Sequence, residues 1–205
     1  MVHSTMAARR IEDKRRRILD AAVQVFAEKG YFASRVTDVA KAAGVADGTI
    51  YLYFQNKDHL LVSLLDEVMS EHLEAGRREV KRLKGAPARL RAIARRHLGL
   101  LGGHRDLAVV FQVELRQSTK FMERFTASWL KDYFDVLEEV IQGGQRDGTI
   151  RRDLPRTLAA HAFFGALDAV VTSWVLSRRS YDIIQLGDPL VQLFLEGATI
   201  NNGKR

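Results

Sequence analysis

Residues 34–57 read SRVTDVAKAAGVADGTIYLYFQNK, and the reading of this stretch decides the fold. Val36, Val39, Ala40 and Ala43 recur at helical spacing, which predicts a short helix with one apolar face. Ser34 stands just before that face, where a side-chain oxygen can cap free amide groups. Gly44 follows, and glycine takes the positive φ of a sharp inter-helix turn without steric cost. Val45 then fills the angle. A second, very short helix is predicted from about Asp47 to Tyr53, with Ile50 and Phe54 turned inward. Asp47, Gly48, Thr49, Tyr51 and Tyr53 are left on its outer face. Two such helices held across each other form a helix-turn-helix, which can lay its second helix in the DNA major groove.

The whole chain bounds this reading. It has 205 residues, 46% hydrophobic and 28% charged, enough for a compact soluble domain with a small appended module. There is no cysteine, so disulfides, thiolate catalysis and cysteine metal sites are excluded. Few prolines and near-continuous helical periodicity, without strand-like alternation, predict an all-α protein of about nine helices. The net charge of +7 favours polyanionic partners. MVHSTMAARR has no apolar run behind it, so no signal peptide is predicted. The longest uncharged stretch, between Arg156 and Asp168, is too short to cross a bilayer. A cytoplasmic protein with no membrane partner is expected.

Taken in order, residues 9–30 predict a first helix with Ile11, Ile18, Leu19, Ala22, Val25 and Phe26 as its stripe. Arg9, Arg10 and Arg15 at its start are candidates for phosphate contact. Residues 1–56 are expected to form a three-helix DNA-binding head, and residues 57–205 a helical body for ligand binding and dimerisation. Asn56 is placed to cap a long fourth helix, from Lys57 to about Lys84, that would link the two as a lever. Further helices are expected from Pro87, over about His104–Gln117 and Lys120–Gln142, after Asp153-Pro155, and from Asp188-Pro189 to near Ile200. GGQRDGTIRRD reads as a loop, with Asp153 capping the helix that follows.

Within the head, Thr49 and Tyr51 carry outward hydroxyls suited to phosphates or base edges, and Gly48 allows close backbone approach. Tyr53 adds an aromatic edge. Asp47 either caps its own helix or accepts from a cytosine amino group. In the body, Ala159, Ala162, Ala166, Ala169 and Ser173 form a seam of small residues that lets a second helix approach closely. With Phe194 on the last helix, Ala162, Ala166 and Ala169 are the candidate dimer interface. Large apolar groups beyond this seam suit either a core or a cavity for an apolar ligand.

The segment AGVADGTIYLYFQNKDHLL, residues 43–61, resembles the signature of TetR-type transcriptional repressors. Ala46 departs from it, standing where many members carry a capping serine. The resemblance implies that Arg35 and Thr37 touch one edge of the groove, that Lys57 reaches a backbone phosphate, and that the protein is a homodimer on a pseudo-palindromic operator. HLGLLGGHRDLAVVFQVELRQS (97–118) and ALDAVVTSWVLSRRSYDI (166–183) narrow it to the FadR-type regulators of fatty-acid degradation. That group implies a repressor released from double-stranded DNA by a long-chain acyl-CoA. On that reading Phe111, Arg116, Trp129, Tyr133 and Phe164 line the tunnel, and Arg95, Arg105 and Lys131 lie near the CoA phosphates.

Other functions fit less of the chain. It has no Gly-rich phosphate loop, no nucleophile elbow and no His-Glu-x-x-His, so neither an enzyme nor a resident cofactor is expected. His97 and His104 are split by Gly102-Gly103, which speaks against a metal site. A lipid carrier would leave the head unexplained. A TetR-type repressor of an efflux pump, induced by hydrophobic drugs, is the alternative.

Overall fold

The computed structural model describes residues 2–177 and 181–198, and over them it is helical without strands. The expected end of the last helix near Ile200, like Arg178 to Ser180, lies outside the described residues. Nine helices follow in order: α1 (Val2–Lys29), α2 (Val36–Ala43), α3 (Asp47–Tyr51), α4 (Lys57–Arg82), α5 (Ala86–Gly102), α6 (105–117), α7 (119–147), α8 (Arg156–Leu176) and α9 (Gly187–Ala198).

The head is built as the apolar pattern dictates. Ile18, Leu19, Ala22 and Phe26 of α1 pack against Val39, Ala40, Ile50 and Phe54, all buried. Ile11 departs from the expected stripe and is 56% exposed, because α1 runs past the body of the head at that point. Gly44 ends α2 with φ +64°, the left-handed conformation that the turn needs. The Arg17 guanidinium donates to the Ala43 carbonyl at 2.7 Å, satisfying one of the free carbonyls at that end.

Three expected caps are replaced by others. The Ser34 hydroxyl turns back and donates to the Tyr31 carbonyl at 2.7 Å. Arg35 takes the N-cap of α2, and the Asp38 carboxylate accepts from its backbone N–H at 2.8 Å. Asp38 also pairs with Lys29 at 2.7 Å, and that bond is the main cause holding its pKa below the usual carboxylate range. Asp47 is exposed in the first turn of α3, whose cap residue is Ala46 without a side-chain bond. Asp47 therefore favours the helix dipole rather than capping. Asp153 does not cap α8 either, since Pro155 occupies that position. Asn56 does cap α4, accepting from the His59 N–H at 2.8 Å.

In the body, α5 lies at the centre, packed against α4, α7, α8 and α9. The Gly-Gly pair read as a loop lies inside α7, which continues to Asp147. Gly144 is there for close approach: a Cβ would meet Ala86 Cβ at 2.8 Å and Ile150 at 2.9 Å. Helices α6 and α7 each contain one wide π turn, Val110–Glu114 and Thr126–Leu130. Helix α8 is long and apolar enough to cross a membrane by length and composition alone. Its Ala159, Phe163, Leu167 and Val171 are core residues that pack inside the body.

Candidate functional site

The outer face of the head presents what the spacing left free. Arg35, Thr37, Asp47, Gly48 and Tyr51 are exposed, and Thr49 and Tyr53 are half-buried. Nothing lies within 4 Å of the position a Gly48 Cβ would take, so a surface can approach the α3 backbone closely. Leu52 is 81% exposed beside Tyr51, an apolar contact that helical periodicity did not single out. Arg9 and Arg10 are exposed on α1. Arg15 is drawn inward: it pairs with Glu67 of α4 and lies over the Phe54 ring.

Lys57 corrects an expectation. Its ammonium donates to the carbonyls of Tyr31 at 2.7 Å and Ser34 at 2.9 Å, and it sits 4.5 Å over the Tyr31 ring. It therefore clasps the loop before α2 instead of reaching outward. Burial is the first cause holding its pKa below the usual lysine value.

That loop is also where head meets body. The Tyr31 N–H donates to the buried Glu114 carboxylate of α6 at 2.6 Å. Gly30 allows the approach, with φ +79° and a virtual Cβ only 3.4 Å from that carboxylate. The Tyr31 hydroxyl donates to Asp58 at the start of α4, and Lys120 of α7 donates to the other Asp58 oxygen at 2.8 Å. The Lys120 bond is the largest cause holding the Asp58 carboxyl below its usual range. The Phe121 ring meets the Tyr31 ring edge-on at 5.2 Å.

Behind this junction lies a cavity of about 270 Å³ between α4, α5, α6, α7 and α8, close to the lower end of the ~300–1,000 Å³ range of small-molecule sites. Phe111, Arg116, Trp129, Tyr133 and Phe164, all singled out from sequence, line it together. Both π turns contribute, through Phe111 and Gln112 in one and Trp129 and Leu130 in the other. Such turns are rare and concentrate at functional sites.

One end of the cavity is polar. Asp168 Oδ1 accepts from Arg116 at 2.6 Å and from Gln112 at 3.0 Å, and Thr172 donates to the Gln112 carbonyl at 3.0 Å. One turn away along α8, Phe164 meets Tyr133 and His97 edge-on. His97 Nδ1 lies 3.1 Å from the Tyr133 hydroxyl, while its Nε2 is buried without a partner. Burial lowers the His97 pKa to about 4, against a smaller upward pull from Asp168. His72, also on the cavity wall, falls to about 4 through burial, with Arg96 and His97 adding to the effect. Burial pushes the Tyr133 phenol well above its ordinary value. The sequence reading weighed His97 only as a metal ligand and did not single out His72; both stand at helical spacing within apolar stripes.

The three cations expected near phosphates do not gather at this cavity. Arg95 is exposed on α5 and Lys131 pairs with Asp135 at 2.7 Å. Arg105 donates to the carbonyls of Trp174, Val175 and Ser177, closing the end of α8. Arg116, paired with Asp168, lines the polar end, while Lys120 and Arg124 on the first turns of α7 pair with Asp58 and Asp66 of α4. Asp66 also accepts from Trp129 Nε1 at 3.2 Å.

Of the candidate dimer residues, Ala162, Ala166 and Ala169 are exposed on one face of α8, continued by Leu158 and Leu176. Ala159 turns into the core at 1% exposed. Phe194 is half-buried, edge-on to Phe163 at 5.0 Å, and its neighbour Leu193 is 73% exposed instead.

Residues 18–64 match the bacterial regulatory proteins of the tetR family, and residues 65–197 match the C-terminal region of YsiA-like proteins. The fatty acid metabolism regulator protein of Bacillus subtilis (strain 168) is 40% identical over 180 residues, covering 88% of this chain and 93% of that protein. The crystal structure of FadR from Bacillus subtilis in complex with stearoyl-CoA superposes with a TM-score of 0.83 at 40% identity, covering 88% of this chain and 97% of that one. FadR from Bacillus halodurans, a fatty acid degradation regulator, gives 0.81 at 39% identity, covering 92% and 98%. With residues of both head and body matched, this chain belongs to the TetR family of bacterial transcriptional regulators.

Proposed function

We infer that this protein is a transcriptional repressor of fatty-acid degradation genes that long-chain acyl-CoA releases from its operator. The observation that carries the reading is the aromatic-walled cavity with one polar end, in a chain 40% identical to a regulator solved with stearoyl-CoA. The acyl tail takes the apolar wall. The Gln112–Asp168–Arg116 end faces the thioester, and Arg116, with Lys120 and Arg124 on the turns that follow, supplies cations for the CoA phosphates. Two copies pair through the exposed small-residue face of α8 together with α9. Each copy presents Arg35, Thr37, Gly48, Thr49 and Tyr51 to one half-site of a pseudo-palindrome.

A ligand releases DNA only if it binds the released form better. The CoA phosphates compete for Lys120 and Arg124, which hold Asp58 and Asp66 of α4. The tail presses on Phe111 and Phe125, whose rings stand 5.9 Å apart on α6 and α7. Both actions load the segment that grips Tyr31.

The test is operator binding titrated with lauroyl-, palmitoyl- and stearoyl-CoA, free CoA and free fatty acid. Release by acyl-CoA alone is expected. Intact operator binding with no release by any of them refutes the reading. Release by a cationic drug instead would point to efflux control, although Asp168, the carboxylate on the cavity wall among the described residues, is already held by Arg116 and Gln112.

A further inference from the structure

The cavity does not end at Tyr133. A smaller apolar void of about 30 Å³ adjoins it, and the two share His72 and Tyr133 as common wall. Three helices pass from one to the other in the same direction. On α4, Met69 lines the first cavity, His72 the wall, and Leu73, Gly76 and Val80 the second. On α5 the order is Leu101, then His97 beside the wall, then Ile93. On α7 it is Trp129, Tyr133 and Val136. Helix α8 fixes the sense of this axis. Asp168, at the polar end, and Phe164, against Tyr133, are one turn apart. The second void is therefore at the far end from Arg116.

We propose that Tyr133, braced by His97, is the gate that sets acyl-chain length, and that the void beyond it takes the ends of longer chains. This rests on the acyl-CoA reading above. The gate is held lightly. Tyr133 has one side-chain hydrogen bond, to His97, and edge-on ring contacts with His97 and Phe164. Its phenol stays protonated, and the bond it shares with His97 Nδ1 leaves His97 Nε2 buried without a partner. A wall so held is displaced once enough methylenes lie beyond it. Leu73, Gly76, Val80, Ile93 and Val136 form the apolar wall of the second void, and Arg77 and Arg96 border it. It offers the tail nothing but burial.

Half-release concentrations for C8- to C18-CoA test this on the full-length protein. Each buried methylene should lower the value about fourfold. The series should flatten where the chain end meets Tyr133, then fall again for chains that pass it. Val136→Leu fills the void. It should raise the values for the longest chains about tenfold and leave the shorter ones unchanged. Tyr133→Phe removes the bond to His97 and should shorten the flat region. Melting curves confirm that both variants fold. Profiles of the two variants that superpose on the unmodified protein would overturn the gate while leaving acyl-CoA induction standing. Release by no chain length overturns both.

Discussion

Glu114→Gln is the sharpest perturbation of the link between ligand and operator. Glu114 is 6% exposed, and its carboxylate accepts the Tyr31 N–H at 2.6 Å across the head–body junction. A hydrogen bond to a charged group contributes about 1.5–3 kcal/mol, and a neutral one about 0.5–1.5 kcal/mol. Glutamine keeps the shape and an acceptor, so the substitution removes about 1–1.5 kcal/mol from the junction. On the proposed reading, this contact holds the head in its operator-binding position. Its weakening should lower operator affinity about five- to tenfold per protomer. By reciprocity, acyl-CoA should bind the DNA-free variant more tightly by up to the same factor. Fluorescence anisotropy on a labelled operator and calorimetry with palmitoyl-CoA read the two quantities separately. The melting temperature should fall only a few degrees, at about 2–4 °C per kcal/mol for a chain of this size. Wild-type operator affinity together with wild-type acyl-CoA affinity would show that the junction does not respond to the ligand, and would refute the argument.

Other outcomes follow from the same structure. His97 and His72 have folded-state pKa values of about 4, below the ordinary 6.5, so both must be neutral in the fold. Between pH 6.5 and 4 the unfolded chain binds more protons, and stability falls as the pH falls through that window. For His97, which is nearly fully buried, the loss from pH 7.5 to 5.5 is about 1 kcal/mol, and His97→Phe should flatten the dependence of melting temperature on pH. Gly44→Ala forces a side chain into φ +64°, which costs about 1–2 kcal/mol. It should lower the melting temperature and weaken operator binding, with acyl-CoA affinity unchanged by calorimetry. Ala166→Glu puts a charge on the exposed small-residue face of α8. Sedimentation should then show monomers with wild-type helicity and lost operator binding.

Much of this was legible because the head is a local structure. Val39, Ala40, Ile50 and Phe54 sit at helical spacing and reach the core as expected, and Gly44 turns where a glycine was needed. The cavity wall was legible for a different reason. Large aromatics in excess of one small core must face something, and Phe111, Trp129, Tyr133 and Phe164 face the same space. Cations were not legible. Lys57, Arg105 and Lys131 are long, flexible donors, and what they bind depends on which carbonyls and carboxylates the folded chain brings near. Nothing in the spacing shows that three carbonyls at the end of α8 would claim Arg105. The caps failed similarly. Ser34 and Asp153 have the right side chains in nearly the right places, but a neighbouring carbonyl and a proline won those positions.

The two π turns explain why the sequence pointed to α4 as the lever while the structure points to α6 and the start of α7. Residues 110–125 must face two partners at once. Phe111, Gln112, Leu115, Arg116, Met122 and Phe125 line the cavity. Glu114 and Phe121, from the same segment, hold Tyr31 of the head. A regular helix advances its side chains by a fixed step, and the wide turn at Val110–Glu114 alters that step where Phe111 faces the ligand space and Glu114 the head. A tail wedged against Phe111 therefore acts within one turn of the carboxylate that holds the head. The required coupling is modest. A hundredfold loss of operator affinity needs about 2.7 kcal/mol. That is about the full contribution of one charge-assisted hydrogen bond, and Lys120–Asp58 and Arg124–Asp66 lie on the same face to supply more. Helix α4 is tied to the head as well, since Asp58 and Lys57 clasp Tyr31 and its loop from the other side. On this account α4 is the part that is carried, and the α6–α7 corner is the part that feels the ligand.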